Sequence, residues 1–151
     1  VEDIDLVLAA TADQDIDMWL MLAILEMTHA NAGTYGYSCI CGAWEHDRVQ
    51  PLEPREQLIP LEDTYIYMTH GHEVSYYNRI QKLIELGTDM GARLIVSGHS
   101  HHHGEVRAVI AVFVNPGSIS FGCDRSGGTF AIVTYDNGQF DVEFVYKQDI
   151  V

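Results

Sequence analysis

The chain has 151 residues, 47% hydrophobic and 20% charged, with eight Lys and Arg against 22 Asp and Glu, giving a formal net charge of −14. This length and composition suit one globular domain over residues 1–151 and exclude a disordered chain. The charge argues against a nucleic-acid backbone or an anionic membrane as the main partner, and the longest apolar run, Met18 to Leu25, is too short to span a bilayer.

Taken in order, Ile4 to Ala10 reads as a buried strand. Asp13, Asp15 and Asp17 then surround the start of a helix expected over residues 14–30. Its apolar residues Ile16, Trp19, Leu20, Ala23, Ile24 and Met27 recur at helical spacing, and Asn31-Ala32-Gly33 supplies a stop. Tyr35 to Cys41 reads as the next strand. Cys39 and Cys41 alternate within it as small core residues; a structural zinc site is a weaker reading, because their spacing fits no zinc pattern. The three cysteines leave one unpaired in any disulfide scheme, and no leader pattern opens the sequence, so a reducing, cytoplasmic setting is expected.

Residues 49–63 carry three prolines and read as a surface connection or an edge strand. Tyr65 to Met68 reads as a strand, Tyr76 to Gly87 as a helix, Leu94 to Ser97 as a strand, and Val109 to Val114 as another. The chain closes on a hairpin, with arms Thr129 to Tyr135 and Phe140 to Tyr146 around Asp136-Asn137-Gly138. Asn-Gly between such runs is a strong hairpin signal. Strand–helix units followed by antiparallel strands describe an α/β sandwich.

Six of the eight histidines fall in two clusters, Thr69-His70-Gly71-His72-Glu73 and Ser97-Gly98-His99-Ser100-His101-His102-His103. Each follows an expected strand, which brings the imidazoles to one edge of a sheet, where open α/β folds place their sites. Neutral imidazole suits Zn, Mn, Fe, Ni and Cu. The plainer alternative is a pair of polar loops. His99-x-His101 can direct two imidazoles at one site or at two neighbouring sites, and His70 can add a third ligand from the adjacent strand.

Thr69-His70-Gly71-His72-Glu73, Gly98-His99-Ser100-His101 and Asn115-Pro116-Gly117-Ser118-Ile119-Ser120 resemble three ordered motifs of the calcineurin-like metallophosphoesterases, with the small YfcE-type phosphodiesterases as the nearest pattern. The resemblance covers residues 61–121 and extends to the closing hairpin. It implies a four-layer α/β/β/α sandwich with a two-metal site, usually Mn²⁺, with Ni, Fe, Zn and Mg as alternatives. It further implies hydrolysis of a small phosphate ester, a phosphodiester in particular, by a metal-activated hydroxide. On this pattern His70 and His99 serve one metal and His101 the other. His72 is the catalytic candidate close by, either bracing the metal ligands or facing the phosphate, and Asn115 shapes the adjoining loop.

The front half departs from that pattern. The family's opening Asp-x-His strand has no counterpart, so the sandwich is expected to lack its first strand, leaving an edge that homo-oligomerisation could cover. Thr11-Ala12 stands where Gly-Asp is expected, with Asp13 one residue later. Gly42-Ala43-Trp44-Glu45 stands where Gly-Asn-x-Asp is expected. Asp13, Glu45 and His46 are therefore the candidate replacements for the missing ligands. Two functions follow: a metal-dependent phosphoesterase, or an impaired family member kept as a binding scaffold, as in the retromer subunit of this fold.

Overall fold

A computed structural model of the protein describes residues 2–21, 37–39, 55–71, 73–75, 77–119 and 127–150. The chain enters on helix α1 (Glu2–Ala10), not on the strand expected over residues 4–10. Two features of the sequence favour the helix. Ile4, Val7 and Leu8 follow helical spacing, and the acidic residues Asp3 and Asp5 sit in the first turns, where the helix dipole favours negative charge. Thr11 closes it, donating both its backbone N–H and its hydroxyl to the carbonyl of Val7 at 3.1 and 2.8 Å.

The helix expected from residue 14 is also corrected. Residues 15–18 are not helical, and β1 (Trp19–Met21) pairs in parallel with β2 (Tyr37–Cys39). A continuous apolar run such as Met18 to Leu25 carries no period of its own, so strand and helix compete on equal terms there. Residues 22–36, which hold the rest of that expected helix, lie outside the described residues.

The central sheet holds β3 (Glu56–Leu61), β4 (Thr64–Thr69), β5 (Ala92–Ser97), β6 (Gly104–Arg107) and β7 (Val112–Asn115), in the spatial order β3-β4-β5-β7-β6. β4, β5 and β7 are parallel, while β3 and β6 pair antiparallel at the two edges. The edge position of β3 accommodates Pro60, which has no N–H for a second ladder.

Side chains alternate across this sheet. Ile66, Met68, Leu94, Val96, Val112 and Val114 face one way, toward the hairpin of β8 (Thr129–Asp136) and β9 (Gln139–Tyr146), whose Phe140, Val142 and Phe144 complete that core. Tyr67, Ile95 and Phe113 face the other way, toward Leu83 and Ile84 of α2 (Arg79–Asp89). Helix, sheet and second sheet thus stack in layers, a mixed α/β arrangement.

Helix α2 starts later than its apolar pattern suggests. Tyr77 precedes it and is 78% exposed, while Leu83, Ile84 and Gly87 form the buried face. Gly87 lies so close to β5 that a Cβ there would stand 2.5 Å from Cγ1 of Ile95. The strand expected from Val109 begins instead at Val112. Val109 and Ile110 occupy the turn between β6 and β7, closed by the Ala108 N–H donating to the Ala111 carbonyl at 2.8 Å. β6 carries little strand signal of its own, because Gly104-Glu105-Val106-Arg107 is short, mostly exposed and polar at alternate positions.

Candidate metal centre

The parallel strands β4, β5 and β7 end side by side at Thr69, Ser97 and Asn115. Each opens into a loop at the same edge of the sheet. These loops carry His70-Gly71, Gly98 to His103, and Pro116-Gly117-Ser118.

His70 is buried at 7% exposure. Its carbonyl accepts hydrogen bonds from the Ser97 hydroxyl and from the Gly98 N–H, each at 3.1 Å, so β5 fixes the place where the first loop leaves β4. Gly71 then turns with φ +98°, and a Cβ there would stand 2.5 Å from the Ser97 Oγ. Only glycine fits both the dihedral and the space.

The second loop is bent at two non-glycine residues, His99 at φ 69° and His101 at φ 60°. A left-handed histidine costs about 1–3 kcal/mol and needs surrounding structure to hold it. Asn115 supplies much of that hold. Its Nδ2 donates to the Gly98 carbonyl at 3.3 Å and to the Ser100 Oγ at 3.0 Å, while its Oδ1 accepts from the Gly117 N–H at 2.9 Å. One buried amide therefore ties the His99 loop to the Pro116-Gly117-Ser118 loop.

The outcome is a pair of imidazoles. The rings of His70 and His99 lie edge to face, with centroids 5.1 Å apart. His101 is half-buried in the same loop as His99. His103 belongs elsewhere: its Nε2 lies 3.3 Å from the Tyr146 hydroxyl, and its ring packs 5.1 Å from that of Phe144, so it anchors the loop to the hairpin. Beside the first loop, Tyr67 donates its hydroxyl to Glu56 at 2.5 Å; burial, followed by that bond, pushes the phenol well above its usual pKa.

Two imidazoles from adjacent strand ends, one of them buried, fit the nitrogen-donor part of a divalent-cation site. Among the described residues no three His, Cys, Asp or Glu side chains converge to complete it. His72, Glu45 and His46 lie outside the described residues. Asp13 lies in the exposed turn after α1 and is not grouped with the two histidines. Its expected place after a strand does not hold, because residues 4–10 are helical. Ser97 and Ser100, which brace both histidine loops, were missed in the sequence. Their signal was position, one at the end of β5 and one between two histidines.

The chain is similar in sequence and in fold to several known proteins. A probable metallophosphoesterase of Bacillus subtilis, YsnB, is 30% identical over 89 residues, which span 59% of this chain and 53% of that relative, so the match covers about half of its length. A conserved protein of Streptococcus pneumoniae described as a predicted phosphoesterase has the same fold, with TM-score 0.77 and 23% identity over 97% of this chain and 84% of that one. Vps29 of Entamoeba histolytica, solved in complex with Zn²⁺, superposes with TM-score 0.71 and 16% identity over 94% of this chain and 88% of that one. The profile of the calcineurin-like phosphoesterase superfamily domain matches residues 15–138. With that match spanning most of its length, the chain belongs to the calcineurin-like phosphoesterase superfamily.

Proposed function

We infer that the protein is a divalent-cation-dependent phosphoesterase acting on a small phosphodiester, folded as one domain over residues 1–151. The observation that carries this reading is the His70–His99 pair, held at the sheet edge by Ser97 and Asn115. His70 and His99 would hold one cation and His101 a second, with oxygen donors from the segment that includes Glu45. Manganese is the first cation to test, and a reducing compartment suits the unpaired cysteine.

A bound cation would supply Lewis-acid charge to the phosphoryl oxygens and make water a better nucleophile near neutral pH. The remaining work falls to the chain. Its net charge of −14 repels a phosphate ester everywhere except where the histidines would hold that cation. The bent His99 loop sets the direction of its imidazole before substrate arrives, and the Gly71 turn leads into His72, the phosphate-facing group in this reading.

Hydrolysis of bis-p-nitrophenyl phosphate with added Mn²⁺, beside a His99→Ala control, tests this function. Turnover that needs the metal and disappears in the variant supports it. No turnover in either protein would favour the scaffold reading, and equal turnover in both would show that His99 takes no part in the reaction.

A further inference from the structure

At the opposite end of the sheet from the histidines, an open cleft of about 220 Å³ lies between the hairpin tip and the β6–β7 turn. The cleft is lined by Arg93 and Arg107 together with Ala108, Val109, Ile110 and Phe140. In a chain with 22 acidic residues and eight Lys and Arg, this wall carries two arginines and, among the described residues, no Asp or Glu.

Both guanidiniums are fixed in place. Arg93 donates to the Gly138 carbonyl at 2.9 Å and lies with its Cζ 5.8 Å from the centre of the Phe140 ring. Arg107 donates to the Phe140 carbonyl at 2.8 Å and meets Glu105 at 3.1 Å. A guanidinium has five N–H donors, more than these contacts use, and its planar fork matches a carboxylate. Beside this pair stand two aliphatic side chains in a solvent-facing turn, Val109 fully exposed and Ile110 63% exposed.

We propose that this cleft docks a segment of a partner protein that presents a carboxylate next to an aliphatic side chain. The carboxylate meets Arg93 and Arg107, and the aliphatic side chain packs on Val109 and Ile110. Charge complementarity selects the carboxylate, which shares the two guanidiniums with Glu105 and with the Tyr135–Asp63 pair beside Arg93. The full exposure of Val109 selects a macromolecule, since a small anion seated between the arginines would leave that side chain in water.

The probe is the acetylated, amidated peptide Ile-Leu-Asp-Leu, titrated into ¹⁵N-labelled protein and followed by amide chemical shifts, with Ile-Leu-Asn-Leu and N-acetyl-aspartate as comparison arms. The expected result is a set of shifts at residues 107–112 and 138–140, with the Asn peptide and N-acetyl-aspartate each at least tenfold weaker. Arg107→Gln should weaken binding about as much as the Asn peptide does. Val109→Asp, at a position where no packing is lost, should do the same with the fold intact. No shifts at these residues, equal binding of the Asn peptide, equal binding of N-acetyl-aspartate, or shifts confined to the histidine loops would each overturn the proposal.

Discussion

The imidazoles of His70 and His99 meet edge to face, 5.1 Å between centroids, although they stand on loops from different strands. The parallel pairing of β4 with β5, with Thr69 opposite Ser97, carries both loops to the same edge. The hydrogen bonds from Ser97 and Gly98 to the His70 carbonyl then lock one loop to the other.

Asn115 is the residue whose loss should separate site geometry from ligand chemistry. Asn115→Ala removes one partner each from the Gly98 carbonyl and the Ser100 hydroxyl and takes the side-chain acceptor from the Gly117 N–H, in a partly buried setting. A destabilisation of about 1–3 kcal/mol is expected by urea unfolding. Phosphoesterase activity should fall about 10- to 100-fold at temperatures where the variant is still folded, because the His99 loop loses its clamp. Unchanged activity would show that the left-handed turns hold themselves.

The tyrosine beneath the first loop makes stability depend on alkaline pH. Burial and the hydrogen bond to Glu56 raise the Tyr67 pKa above its ordinary 10.0. The unfolded chain therefore releases this proton first, so the contribution is fully present below pH 10 and is lost as pH rises toward the folded-state value. Tyr67→Phe should be less stable than wild type at pH 7, and the gap between them should narrow above pH 10. Denaturant midpoints measured from pH 7 to 11 check this, and a constant gap would contradict it.

The helix face of the sheet predicts a different pair of losses. Leu83 is fully buried against β5, and Leu83→Ala should cost about 2–5 kcal/mol. Gly87→Ala inserts a methyl group into contact with Ile95 and should cost about 1–3 kcal/mol through overpacking, despite alanine's better helix propensity. Thermal unfolding of the two variants measures both effects; a stabilised Gly87→Ala would mean that α2 can shift away from the sheet.

The second half of the chain was legible because its strands end in chemistry. Tyr65 to Met68 and Leu94 to Val96 are apolar runs followed at once by histidine, and Asp136-Asn137-Gly138 closes the hairpin in the structure as its residue types predict. The front half was not. Residues 4–10 carry a helical stripe of only three positions within a run apolar enough to pass for a strand, and Trp19 lies in a run with no period at all. Site pairing was legible from the two clusters, whereas the clamp was legible only in part. Nothing in the spacing of Ser97, Ser100 and Asn115 shows that one amide joins two loops, since that link depends on β5 and β7 being neighbours.

A Mn²⁺ titration followed by electron paramagnetic resonance tests most directly whether His70 and His99 form the seat of a divalent cation. The wild-type protein should quench the free Mn²⁺ signal. His70→Ala and His99→Ala should each weaken that binding about tenfold or more while keeping a native circular-dichroism spectrum. If both folded variants bind Mn²⁺ as tightly as the wild type, the cation sits elsewhere and the proposed centre is wrong.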